Sequence, residues 1–135
     1  MADIGLWFQQ GTALTLAAIL NKTAPEDTDL CLFSNDYTPG IGTTEANLTE
    51  ATFAGYVAKA LTAGSWTVTP GAPSTAVYGT QTFTCISNSQ NEHIYGWYIR
   101  QRSSGKALCG GRFSATDYID ATADFTTVTP TLPAQ

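Results

Sequence analysis

Nothing constrains this chain more than the pair of runs His93 to Gln101 (HIYGWYIRQ) and Ala107 to Phe113 (ALCGGRF). Both are rich in aromatic and branched residues, and Ser103-Ser104-Gly105-Lys106 lies between them. Two β-forming runs around a short glycine-containing connection specify a hairpin, because the turn sets the register and alternation assigns the faces. In the first arm, strict alternation places Tyr95, Trp97 and Ile99 on one face, and Ile94, Tyr98 and Arg100 on the other.

Shorter runs repeat the pattern. Asp29 to Ser34 (DLCLFS) is apolar on both faces and reads as a strand central in a sandwich. Phe53 to Leu61, Ser65 to Thr69, Ala76 to Tyr78, Gln81 to Ser87 and Asp124 to Thr129 read as further strands, the last ending at Pro130 and Pro133. In QTFTCIS, Phe83 and Cys85 share a face while threonines take the other. Asn35 to Thr49 is a polar loop broken by Pro39, Gly40 and Gly42, and Pro70-Gly71-Ala72-Pro73 is a turn. Gly11 to Asn21 carries Leu14, Ala17 and Ala18 at helical spacing, with Thr12 as N-cap. The expected fold is therefore all-β: an antiparallel β-sandwich, jelly-roll-like or Ig-like, of about seven to eight strands with one short N-terminal helix. Residues 1–9 form an N-terminal arm, and 10–135 one domain, which suits a chain of 135 residues.

The surface is weakly charged. Charged residues make up 13%, about half the usual share of roughly 25%. Threonine, the commonest residue, replaces them, since its branched Cβ fits the pleat while its hydroxyl stays wet. Six basic residues face eleven acidic ones, a formal net charge of -5. Phosphate binding needs clustered lysine and arginine, and only Arg100, Arg102, Lys106 and Arg112 gather locally, so no nucleic-acid partner is expected. The longest apolar stretch, Ala13 to Leu20, falls short of the roughly 20 residues a bilayer demands, so no membrane partner is expected. It also lacks a basic leader, which reads as synthesis in a cytosol.

Chemistry is sparse. Cys31, Cys85 and Cys109 are odd in number, widely spaced and set in apolar runs, where a thiol acts as a small buried hydrophobe. His93 beside Glu92 opens a strand and has no partner that the sequence can place. Asp117, Asp120 and Asp124 offer carboxylates at three- and four-residue spacing, but the pattern is not an EF-hand, and a solvated acidic loop is the expectation. Asp27, Asp29 and Asp36 read the same way. Gly110-Gly111 lies within a strand, where glycine marks a bulge or a close backbone approach. No catalytic residue, cofactor site or metal site is expected, and the chain reads as non-enzymatic. Trp66, Tyr78, Tyr95, Trp97 and Tyr98 are expected to fill the core, with a sugar-stacking platform as the alternative. Leu6, Trp7 and Phe8, in a terminal segment, must either pack on their own domain or dock on a neighbour.

Three stretches together carry a resemblance: Leu30 to Pro39 (LCLFSNDYTP), Thr49 to Thr69 (TEATFAGYVAKALTAGSWTVT), and Gln81 to Phe113 with TFT, IYGWYI and GGRF. They cover about two thirds of the chain. The combination resembles a family of small structural proteins of tailed bacteriophages, several of them of the capsid cement, or decoration, type. Cys31 departs from that pattern, which has a basic or polar residue there, and so does the aromatic N-terminus. The resemblance implies a virion structural protein on the capsid surface, made in the host cytoplasm. Its partners would be the major capsid protein and copies of itself in a homo-oligomer. Leu6, Trp7 and Phe8 would then be interface residues. The alternative is a head-fibre or tail adhesin that binds host-surface glycans through exposed aromatics.

Overall fold

The computed structural model describes residues 3–20 and 27–134. It is an all-β sandwich with one short helix. Among the described residues, eleven strands, several of only two to four residues, replace the seven or eight expected: β1 (Asp3–Ile4), β2 (Leu6–Trp7), β3 (Thr28–Phe33), β4 (Lys59–Leu61), β5 (Thr67–Thr69), β6 (Thr75–Val77), β7 (Gln81–Thr84), β8 (Glu92–Gln101), β9 (Ala107–Ile119), β10 (Phe125–Val128) and β11 (Pro130–Pro133). The helix α1 spans Gln9–Ile19.

One layer is an antiparallel sheet in the order β2-β9-β8-β3-β4. Opposite lie a four-stranded sheet, β1-β11-β6-β5, and the pair β10-β7. β1 and β11 run parallel; the other pairings are antiparallel. Between the layers sits the main core, with Leu30, Leu32, Ile94, Trp97 and Ile99 from the large sheet meeting Phe83, Val128 and Leu132. A second cluster, containing Phe8, Cys31, Phe33, Leu48 and Tyr98, lies on the other face of the large sheet. β3 is buried from Asp29 to Phe33 because both its faces meet apolar neighbours, as its sequence anticipates.

The hairpin forms between β8 and β9, and Gly105 supplies the left-handed residue at φ 75°. β9 continues six residues past Phe113, and Glu92, His93 and Ile94 pair with Ile119, Tyr118 and Asp117. Between Ile94 and Gly96 the register jumps from Asp117 to Arg112. This bulge corrects the strict alternation expected of β8. Ile94 shares the main core with Trp97 and Ile99, whereas Tyr95 packs with Tyr98 on the opposite face.

Other boundaries move for local reasons. The expected strand from Phe53 shrinks to Lys59–Leu61, since Tyr56 N–H closes a turn on the Phe53 carbonyl at 2.9 Å and Gly55 takes φ 91°. Pro130 and Pro133 do not end the structure but bracket β11, at the first and last positions of a strand, where a missing N–H is tolerated. The arm is not separate. Asp3–Ile4 pairs with β11 and Leu6–Trp7 with β9, while residues 1 and 2 lie outside the described residues. α1 begins two residues before the expected start, and its N-cap is Phe8, with no side-chain cap bond. Thr12 lies inside the first turn, and its hydroxyl donates to the Phe8 carbonyl at 3.2 Å. Asn21 is outside the described residues.

A candidate interaction surface around the helix

The terminal aromatic residues divide their roles. Phe8 is fully buried (0% exposed) in the second cluster, so it has no surface to offer and cannot dock a neighbour without unpacking its own domain. Leu6 and Trp7 are half-buried and pack against the two clusters. Pairing of β2 with Cys109 and Gly110 holds them there, and the Trp7 indole N–H donates to the Pro133 carbonyl at 2.9 Å.

From Gln9 to Leu20 the chain (QQGTALTLAAIL) bears no charge, so α1 has no charged outer face. Its inner side approaches β9 closely. A Cβ on Gly11 would overlap the Leu108 carbonyl oxygen, and Gln10 Nε2 donates to the Ala107 carbonyl at 3.0 Å. Its outer side carries Leu16, Ile19 and Leu20 at i, i+3 and i+4, exposed by 56%, 74% and 76%. Ile41, 67% exposed, extends the patch, and its carbonyl accepts the Gln9 N–H at 2.8 Å. Two grooves flank this ridge. One of about 310 Å³ is lined by Trp7, Thr12, Thr15, Leu16, Ile19 and Ala134. The other, about 400 Å³, is lined by Trp7, Gln9, Thr12, Ala13, Leu16 and Ile41. Trp7, Thr12 and Leu16 line both grooves and so join them into one uncharged, mainly apolar surface. Leu16, Ile19, Leu20 and Ile41 are not among the residues that the sequence marks for an interface. The available signal was a second apolar stripe on a helix that already had one.

Most of the basic cluster is paired with acids. Arg100 bridges to Glu50 at 2.9 Å and to Asp29 at 3.7 Å, and Arg102 to Asp29 at 2.8 Å and Asp27 at 3.3 Å. Arg112 meets Asp36 at 2.6 Å and stacks over Tyr95. Three of the four members of the basic cluster are thereby neutralised locally. Asp117 accepts from the Thr126 hydroxyl, and Asp124 accepts the Asp120 and Ala121 N–H groups, each at 2.9 Å. Those backbone donors hold the Asp124 carboxyl below its ordinary range. Among the described residues, no three His, Cys, Asp or Glu side chains converge to hold a metal ion. No helix among them is long and apolar enough to cross a membrane.

His93 is exposed, its ring 4.6 Å from Tyr118 and 6.4 Å from Tyr95. Of the five aromatics expected in the core, Tyr78, Trp97 and Tyr98 are buried; Trp66 and Tyr95 are half-buried, with Trp66 edge-on to Tyr78 at 5.1 Å. All three cysteines are free and buried. Burial, then Glu50, pushes the Cys31 thiol up to about 12, and burial alone raises Cys109. Gly110 marks a close approach, since a Cβ there would overlap the Trp97 carbonyl oxygen. Comparison of the chain with protein-family models and with curated proteins returned no match.

Proposed function

We propose that this protein is a non-enzymatic structural component of a tailed-bacteriophage virion, of the capsid cement type. It attaches to the outer shell and to its own copies through protein–protein contacts. The observation that carries this reading is the uncharged apolar surface built from Trp7, Leu16, Ile19, Leu20 and Ile41. Contiguous exposed apolar area rimmed by polar residues marks an interaction site, and an aromatic anchor at its centre is the usual source of affinity. The resemblance of the strand-forming stretches supplies the shell as the partner. Trp7 remains in the contact set, Leu6 lies beside it, and Phe8 supports both from within.

Two measurements test the proposal. Electron microscopy of particles assembled with and without the protein should show density lost from the shell surface in its absence. Leu16→Asp and Ile19→Asp should each cut particle binding at least about tenfold, because a buried charge at an interface costs more than 1.4 kcal/mol. Circular dichroism of both variants should match the parent, as the two side chains face outward. Unaltered shell density together with unaltered binding by both variants would defeat the reading.

A second reading, a glycan-binding adhesin, draws on one observation. His93, Tyr95 and Tyr118 form an aromatic row on β8 and β9, beside Arg112 and Asn91. Aromatic faces with polar groups at their edges suit sugar rings. Saturable binding on a glycan array that Tyr118→Ala abolishes would favour this role over shell attachment.

A further inference from the structure

β5 (Thr67–Thr69) ends the four-stranded sheet, with β6 on one side and no strand on the other. Backbone bonds across that sheet set the direction of its groups. The Thr131 carbonyl accepts the Gly5 N–H at 2.9 Å on the β1 side, and the Pro130 carbonyl accepts the Tyr78 N–H at 3.0 Å on the β6 side. Successive residues of a strand aim their N–H and C=O to opposite sides, so the paired residues Leu132 and Ala76 bond each other. Thr75 and Val77 then bond Thr69 and Thr67, and the N–H and C=O of Val68 point away from the sheet. Neither meets a partner among the described residues. The Val68 side chain shares its face with Ala76 and the core residue Leu132, yet it is 68% exposed. An open edge is a template for another strand, and proteins usually blunt it with charge. β1, at the opposite edge of this sheet, carries Asp3, and β4, at an edge of the large sheet, carries Lys59. β5 has no such guard, and from Ala60 to Asn91 the sequence holds no charged residue.

We propose that β5 is the contact between two copies of this chain, paired antiparallel about a two-fold axis at Val68. Each Val68 exchanges both N–H···O=C bonds with Val68 of the second copy, Thr67 lies across from Thr69, and the two four-stranded sheets join into one. The occupant is a second copy because the strand complements itself: a two-fold axis matches Val68 with its own counterpart, and the two side chains cover each other. Each chain carries a net charge of -5, so copies repel where acids lie and meet with least repulsion at an uncharged edge. Pro70 has no N–H, which stops the ladder at the end of the strand. The pairing rests on the proposed contact between copies and not on shell attachment, so its loss leaves the effect of Leu16→Asp on particle binding unchanged. Sedimentation equilibrium of the purified chain should show monomer passing to dimer as concentration rises. Val68→Lys and Val68→Glu each set like charges face to face and should weaken the dimer at least about tenfold. An equimolar mixture of the two should restore it, which requires residue 68 to face its own counterpart. Position 68 is exposed, so each variant should melt like the parent at dilutions where all are monomeric. Val68→Pro removes only the outward N–H and should also weaken the dimer, which keeps the test decisive if a charged variant misfolds. A parent that stays monomeric to millimolar concentration, a dimer unmoved by all three substitutions, or a mixture of folded charged variants that stays monomeric overturns the proposal.

Discussion

Trp7 donates its indole N–H to the carbonyl of Pro133, 126 residues away, at 2.9 Å. The bond ties β2 in the large sheet to β11 in the facing sheet, so one side chain spans both layers next to the helix. Trp7→Phe keeps most of the packing and loses the bond, with an expected cost of about 1 kcal/mol. Trp7→Ala also loses the ring, for about 2–3 kcal/mol in all, below the range for a fully buried tryptophan because this one is half-exposed. Urea denaturation of the three proteins measures both steps.

Gly11 opposes two effects of different size. Alanine in a helix interior gains about 1 kcal/mol over glycine. Here the added Cβ would overlap the Leu108 carbonyl oxygen, a backbone atom that cannot rotate away. Overpacking of this kind costs about 1–3 kcal/mol or more, so Gly11→Ala should destabilise. Gly40→Ala, with open space around the new methyl, should stay within about 0.5 kcal/mol of the parent. Equilibrium unfolding of the pair checks the contrast.

Stability should decline in alkali. Cys31 ionises near its ordinary 9.0 when unfolded and near 12 when folded, since burial, then Glu50, opposes the thiolate. Burial and the neighbouring Cys31 also raise Tyr56 and Tyr98. A folded state that holds its protons more tightly has its full stability below the unfolded pKa and loses it as pH rises through the folded one. The expected loss per group is about 1.4 kcal/mol for each pH unit above the unfolded pKa. Urea midpoints between about pH 7 and about pH 11 follow it, and Cys31→Ala should flatten the part of the curve that starts near 9.

Asp124 acts at the other end of the pH scale. Its carboxylate accepts two backbone N–H groups and is held below 3.8, so the stability it contributes is present above that value and is lost as pH falls through the lowered folded pKa. Asp124→Asn keeps an acceptor oxygen and should retain the turn while removing this portion of the acid dependence. Asp124→Ala should lose both. Thermal melts between about pH 2 and about pH 5 separate the two variants.

Much of the architecture was legible in the chain because β-pairing is local where a turn is local. Ser103 to Lys106 specified the hairpin, the double-sided run at Leu30 to Phe33 specified a strand buried on both faces, and the apolar settings of the cysteines anticipated free, buried thiols. Gly110, read as a bulge or a close approach, proved to be the close approach. Alternation and turn chemistry are properties of neighbouring residues, and neighbouring residues are what a sequence displays.

Tertiary structure decided the rest. Gly96 inside the run hints at a bulge, but the size of the slip between Ile94 and Gly96 is a relation between two strands, and it inverts every face beyond it. Pro130 reads as a terminator until β1 arrives from the opposite end of the chain to pair with it. The same holds for the exposed apolar surface around the helix. Leu14 packs on the core as its helical spacing with Ala17 and Ala18 anticipates, but nothing local shows that the second stripe from Leu16 stays uncovered. Only the docking of Gly11 on Leu108 turns Leu16, Ile19 and Leu20 outward, because that long-range backbone contact sets the rotation of the helix.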